Sequence, residues 1–142
     1  MVNILNDLEL RRKLKSGEIK IQPFEETRIG PMSYDLTTIT DSIISETKIR
    51  LKTLEEIGLA RNICGLVFFR SRAAKRSILC TFGPLIDPGF SGHLIFYVDL
   101  GFGVIEEKDL RSLFQVIFIE INPVGTAYNE RKTSTAMERS GF

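Results

Sequence analysis

Seven short β-favouring runs set the strongest limit on the fold: EIKIQPF, SYDLTTIT, TKIRLKT, CGLVFF, SILCTF, HLIFYVDL and LFQVIFIEI. Val, Ile, Thr and aromatic side chains suit a pleated, half-buried surface, and the Gly, Pro, Asn and Ser between runs supply turns. Strands this short and this closely spaced predict a sandwich or barrel rather than βαβ units. The expected fold is therefore mainly β, a sandwich or barrel. One short N-terminal helix precedes it in NDLELRRKLKSG, where Asn6 or Asp7 can cap, Leu8, Leu10 and Leu14 supply a partial apolar face, and Gly17 stops the helix. Leu54–Arg61 (LEEIGLAR) reads as a short helix or as the loop into the next strand, and Ser71–Arg76 (SRAAKR) as a helical turn.

A chain of 142 residues, 43% hydrophobic, holds one domain with a core large enough to need no metal or disulfide. Residues 1–124 are expected to form that β-rich domain. Residues 125–142 lose apolar periodicity and read as a mobile tail that can close over a ligand. The net charge of +1 argues against a nucleic-acid or membrane-surface partner, which would call for a larger basic excess. Cys64 and Cys80 lie in apolar runs and read as small core hydrophobes; with His93 they lack the short spacing of a zinc site, so no protein metal site is expected. The longest apolar run, LIFYV, is far short of the roughly 20 residues that span a bilayer, and no signal-peptide pattern precedes the helix. These features predict a cytoplasmic, reduced protein.

Four places carry chemistry. In FRSRAAKR, Arg70 and Ser71 leave a strand and offer a guanidinium, a hydroxyl and backbone N–H groups, which suits an anion. In LIDPGFSGHL, Pro88 and Gly89 fix the backbone, so Asp87 is pre-positioned either to cap the turn or to direct a water. Asp35 in SYDL sits in a β-favouring run just after a Gly-Pro breaker. Gln115 in LFQVIFIEI faces solvent by strand alternation or points into a polar site. His93, after Gly92, reads as a surface residue.

Taken in order, these pieces resemble the dUTPase and dCTP deaminase superfamily over nearly the whole chain. DLELRRKLKSGEIKIQPF is similar to the N-terminal helix and first strand of the deaminases. IGPMSYDLT, FRSRAAK, LIDPGFSGHL and LFQVIFIEI are similar to four family motifs, LIDPGFSGHL being the most specific. The resemblance implies a mainly β, distorted barrel or jelly-roll-like dUTPase fold, a homotrimer with sites between subunits, a deoxynucleoside triphosphate substrate, and Mg²⁺ held mainly by that triphosphate.

The resemblance also implies roles. Asp87 takes the position that directs water at the α-phosphate. Arg70, Ser71, Gln115 and Arg139 take phosphate-binding positions, while Phe90, Tyr97 and Phe142 fall at the nucleoside. The deaminases carry a glutamate ten residues after the turn aspartate, where this chain has Tyr97. A phenol with an ordinary pKa near 10 is a poor proton shuttle at neutral pH. The spacing from Arg70-Ser71 to Ile86-Asp87 fits the dUTPase pattern without a gap, and ERSGF is similar to a clipped dUTPase tail motif. The implied activity is hydrolysis of dUTP to dUMP and pyrophosphate. The alternatives are dCTP deamination through a relocated acid such as Asp99, with or without that hydrolysis, and a non-catalytic nucleotide-binding trimer. Phe69, Arg72 and Lys75 depart from the family pattern and favour the last.

Overall fold

The computed structural model describes residues 2–71, 78–81, 84–101 and 105–131. Helix α1 (Asp7–Ser16) starts where the sequence places it. Asn6 is the cap: its side chain accepts from the Glu9 N–H at 2.9 Å, and Glu9 accepts from the Asn6 N–H in return. This reciprocal box satisfies two donors that a helix start otherwise leaves open. Gly17 ends the helix with φ +84°, a left-handed conformation that suits glycine.

The remainder is two five-stranded antiparallel sheets. Sheet A contains β1 (Asn3–Ile4), β3 (Tyr34–Asp35), β6 (Ile63–Phe69), β8 (Leu85–Ile86) and β10 (Phe114–Glu120); β10 lies between β6 on one side and both β1 and β3 on the other. Sheet B contains β2 (Ile19–Gln22), β4 (Thr38–Ile43), β5 (Lys48–Leu59), β7 (Leu79–Thr81) and β9 (Ser91–Asp99), with β5 and β9 central. A single turn, α2 (Glu107–Leu110), precedes β10. Alternate residues face inward: Ile49, Leu51, Ile57 and Leu59 from β5 meet Phe114, Val116 and Phe118 from β10. The Phe96 and Phe114 rings stack across the two sheets, centroids 4.0 Å apart. Full burial of such side chains contributes about 1.5–3 kcal/mol each, which makes this shared layer the main favourable term. The mainly β expectation with one N-terminal helix is met. Among the described residues no helix is long and apolar enough to cross a membrane.

One local reading changes. Leu54–Leu59 is neither helix nor loop but the second half of β5, paired to β2 and β9. The residues alternate, Leu54 and Glu56 outward, Glu55, Ile57 and Leu59 inward, so pairing on both edges overrides the weak helical propensity of Leu-Glu-Glu. Residues 72–76 of the expected helical turn lie outside the described residues. Strands β1 and β8, two residues each, are too short to leave a pattern.

At Thr53–Glu55 the register of β5 on β9 shifts, because β5 carries two more residues than β9 between Lys52↔Ile95 and Glu56↔His93. Thr53 fills the gap: its hydroxyl accepts from the Leu94 N–H at 2.9 Å and donates to the Glu55 carbonyl at 2.7 Å. His93, read as a surface residue, lies on the outer face of β9 with its side chain 31% exposed; Nδ1 lies 2.8 Å from the Thr53 carbonyl oxygen and Nε2 3.2 Å from Glu56. Glu55 keeps the inward alternation of β5 through the bulge and is 2% exposed; both its carboxylate oxygens accept from the Thr37 N–H, at 2.8 and 3.2 Å.

A charged cluster fastens α1 to both sheets. Lys13 lies 2.9 Å from Glu18 and 2.6 Å from Glu120, and Asn62 donates to Glu18 at 2.8 Å. The bonds from Asn62 and Lys13 hold the Glu18 carboxyl below its usual range. A carboxyl with a depressed folded pKa stabilises the fold above its unfolded pKa near 4.3 and loses that contribution as pH falls through the folded value. Melting should therefore drop on acidification below about pH 4.3, and Glu18→Gln should flatten that decline while lowering Tm at pH 7. Thermal melts at pH 7 and pH 3 on both proteins check this; an unchanged acid slope in the variant refutes it.

Candidate functional site

The Asp87 turn is rigid for reasons that go beyond Pro88. The Phe90 N–H donates to the Asp87 carbonyl at 3.1 Å, and Gly89 N–H and Phe90 carbonyl bond the backbone of Leu59 at 3.0 Å each. Residues 127–130 clamp the other side: the Tyr128 N–H donates to the Pro88 carbonyl at 2.7 Å, and the Tyr128 ring lies 5.5 Å from Phe90. Arg61 holds this segment by an ion pair to Glu130 and by donating to the Val124 and Gly125 carbonyls. The stretch 125–131, expected to begin the mobile tail, is thus docked on the body. Pro88 and Gly89 are buried, and Asp87 is half-buried. Its carboxylate makes no hydrogen bond among the described residues, so it is not used up as a turn cap. It lies close enough to Cys64 that burial, and then the charge of Asp87, push that thiol up.

Arg70 and Gln115 meet at the far end of sheet A. Gln115 pairs with Asp35 across β10 and β3 and with Phe68 across β10 and β6. Its amide takes a 3.4 Å bond from the Ser33 hydroxyl and gives one of 3.5 Å to the Phe69 carbonyl, so it points into a polar group and not into open solvent. Arg70 lies 3.5 Å from Asp35 and donates to the Ser112 carbonyl at 3.5 Å. Ser71 follows it and is exposed. The Asp35–Arg70 ion pair and Gln115, the register partner of Asp35, make one polar cluster at this end of the sheet.

This cluster and the Asp87 turn do not meet within one chain. Ile86, beside Asp87, pairs with Gly65, while Arg70 lies five residues further along β6, roughly 16 Å away at 3.3 Å per residue. Tyr97 lies further along β9 than Phe90. It pairs with Arg50 near the start of β5, whereas Phe90 bonds Leu59 at the end of that strand. Asp99, the candidate relocated acid, accepts from the Gly101 N–H at 2.9 Å and so caps a turn. Arg139 and Phe142 lie outside the described residues. Among the described residues no group of three or more His, Cys, Asp or Glu is arranged to hold a metal ion. Cys64 and Cys80 are free; Cys80 packs against the core, where burial pushes its thiol up to about 12. Sequence reasoning missed the clamp at 127–130 and the role of Glu55, because both depend on partners distant in the chain.

No protein-family model matches the chain. It is 27% identical to a dCTP deaminase of Pyrococcus horikoshii over 83% of each chain. It is 26% identical to a dCTP deaminase of Thermococcus sibiricus, covering 83% of this chain and 80% of that one. The crystal structure of 2'-deoxycytidine 5'-triphosphate deaminase from Agrobacterium tumefaciens overlays 84% of this chain with a TM-score of 0.66 at 15% identity, and the chain spans 48% of its length. The likeness to the dUTPase and dCTP deaminase superfamily thus holds in sequence and in fold. Within it, the curated relatives carry the deaminase name.

The clamp gives a direct test of how the turn is held. Gly89 has φ +87°, and a Cβ there would fall 2.6 Å from the Ala127 Cβ and 2.9 Å from the Tyr128 backbone nitrogen. Gly89→Ala combines left-handed strain of about 1–2 kcal/mol with that overlap, so a loss of at least ~2 kcal/mol is expected. Chemical denaturation measures it, and a loss under 0.5 kcal/mol would show that residues 127–130 do not press on the turn.

Proposed function

We propose that the protein is a dUTP diphosphatase that hydrolyses dUTP to dUMP and pyrophosphate. The observation that carries this reading is the pairing of an Asp87 carboxylate with no hydrogen-bond partner among the described residues, on a clamped turn, with Tyr97 at the deaminase glutamate position. Asp87 orients a water toward the α-phosphate and takes its proton as general base. Arg70, Ser71, Gln115 and Arg139 hold phosphate oxygens and offset developing charge. Phe90 lies against the deoxyribose, and Tyr97 and Phe142 contact the base. Mg²⁺ fits as part of the substrate: a lone carboxylate in the turn makes a poor site of its own, and the ion would neutralise the leaving pyrophosphate.

A second reading, dCTP deamination, is favoured by the names of both curated relatives. It requires an acid other than Tyr97 at the base, and the use of Asp99 as a turn cap argues against that residue. Incubation with Mg²⁺ and either dUTP or dCTP, with chromatography of the products, separates the readings. The expected result is dUMP and pyrophosphate from dUTP, dCTP intact, and a loss of about 10²–10⁴ in turnover for Asp87→Asn. Formation of dUTP or dUMP from dCTP would establish the second reading. No turnover of either would leave a nucleotide-binding protein.

The separation of Asp87 from Arg70 in one chain supports a homotrimer in which neighbouring copies complete each site. The outer face of sheet A supports it too. Leu66 pairs with Ile117 and Leu85, and Cys64 with Ile119, giving a continuous apolar patch flanked by Phe68. Phe68 and Leu85 are 46% and 55% exposed. Patches of this kind mark association surfaces. Leu66→Lys should convert the trimer to monomer at micromolar concentration without unfolding it, as read by sedimentation velocity and circular dichroism. A trimer that survives the substitution would place the interface elsewhere.

A further inference from the structure

The outer face of sheet B carries a pair that the chemistry above leaves unexplained. Ile49, Leu51, Phe96 and Val98 face the core, so Arg50 and Tyr97 between them stand on the other face. They are register partners, and directly opposed residues of antiparallel strands have Cβ atoms about 5 Å apart. The Arg50 Nε is buried, makes no hydrogen bond, and lies 3.3 Å from Asp41 Oδ2. Asp41 is the extra residue of a bulge in β4, between Thr40↔Leu51 and Ser42↔Arg50. Bulges commonly re-aim one side chain, and this one turns a carboxylate to the guanidinium stem. The terminal nitrogens of Arg50 and the Tyr97 hydroxyl make no hydrogen bond among the described residues.

The result is a fixed stem whose donor fork, like the neighbouring phenol, has no hydrogen-bond partner among the described residues. A guanidinium can only donate. Asp41 already balances its charge, so the fork suits a neutral carbonyl better than another phosphate, and phosphate has Arg70 in the polar cluster of sheet A. A planar ring with a carbonyl beside the phenol satisfies both groups. An amino group in the same place would meet donors with donors and leave them unpaired on burial. We infer that Arg50 and Tyr97 form a base-reading pair that selects a 4-oxo pyrimidine over a 4-amino pyrimidine. The inference rests on the proposed function, which brings a deoxynucleotide base to Tyr97.

The test compares α,β-imido-dUTP with α,β-imido-dCTP, non-hydrolysable probes that differ only at the base, by isothermal titration on the full chain with Mg²⁺. The unaltered protein should prefer the uracil probe by at least about tenfold. Arg50→Met keeps the apolar stem and removes the fork; it should weaken the uracil probe by about tenfold and leave the cytosine probe within about twofold. Arg50→Gln serves the same comparison if the Met variant fails to fold, and Tyr97→Phe should show a smaller loss confined to the uracil probe. Equal affinity of the unaltered protein for both probes, or equal loss for both in the variant, overturns the inference. The product assay remains separate: dUTP hydrolysis whose base preference survives Arg50→Met would sink this pair alone. Arg50-dependent preference without hydrolysis would sink the diphosphatase reading and keep the pair.

Discussion

The contact between the buried Glu55 carboxylate and the Thr37 N–H fixes where the chain passes from one sheet to the other. Asp35 belongs to sheet A, paired with Gln115, and Thr38 belongs to sheet B, paired with Thr53. The crossing occupies Leu36 and Thr37, where the backbone must leave one ladder before joining the next. Leu36 N–H donates to the Phe114 carbonyl at 3.0 Å, Leu54 N–H donates to the Thr37 carbonyl at 2.8 Å, and Glu55 takes the remaining donor. A buried N–H left without an acceptor costs about 1–3 kcal/mol, so an apolar residue in the bulge would leave the crossing without its partner. Because the crossing is fixed, Asp35 arrives beside Arg70.

That same crossing explains why β5 can serve three neighbours. Its first half pairs with β4, its second half with β2, and β9 runs along the other edge. The bulge marks the changeover, and Thr53 supplies the hydroxyl that mends the ladder there. The site follows from this arrangement as two separated groups. One is the turn of Asp87, held by Leu59 and residues 127–130. The other is the cluster of Asp35, Arg70 and Gln115, held by β3, β6 and β10.

Much of this was legible in the residues themselves. The helix cap, the strand runs and the rigid Pro-Gly turn are local, and each is carried by side chains within a few positions. Gln115 could be read as out of place among apolar neighbours, though only the pairing with Asp35 shows what it meets. Leu54–Leu59 misled because its glutamates look like a helix surface, whereas Glu55 faces inward to bond a backbone donor 18 residues away. His93 reads as a surface residue and does lie on the outer face, but its partners, Thr53 and Glu56, belong to another strand and leave no local signal. Docking of residues 127–130 was hidden because polar sequence reports solvation, while the hold comes from main-chain bonds and from Arg61.

The pairing of β1 with β10 bears on how the chain is made. Asn3 and Ile4 sit opposite Glu120 and Ile119, and the Leu5 N–H bonds the Phe118 carbonyl. Sheet A can close only after its last strand has left the ribosome, since β10 is the partner of β1, β3 and β6 alike. Until then β6 carries its hydrophobic residues with one edge open, and non-local pairing of this order slows folding. The nascent chain is therefore at its stickiest late in synthesis, when an unpaired β6 edge could capture another copy's strand before its own arrives.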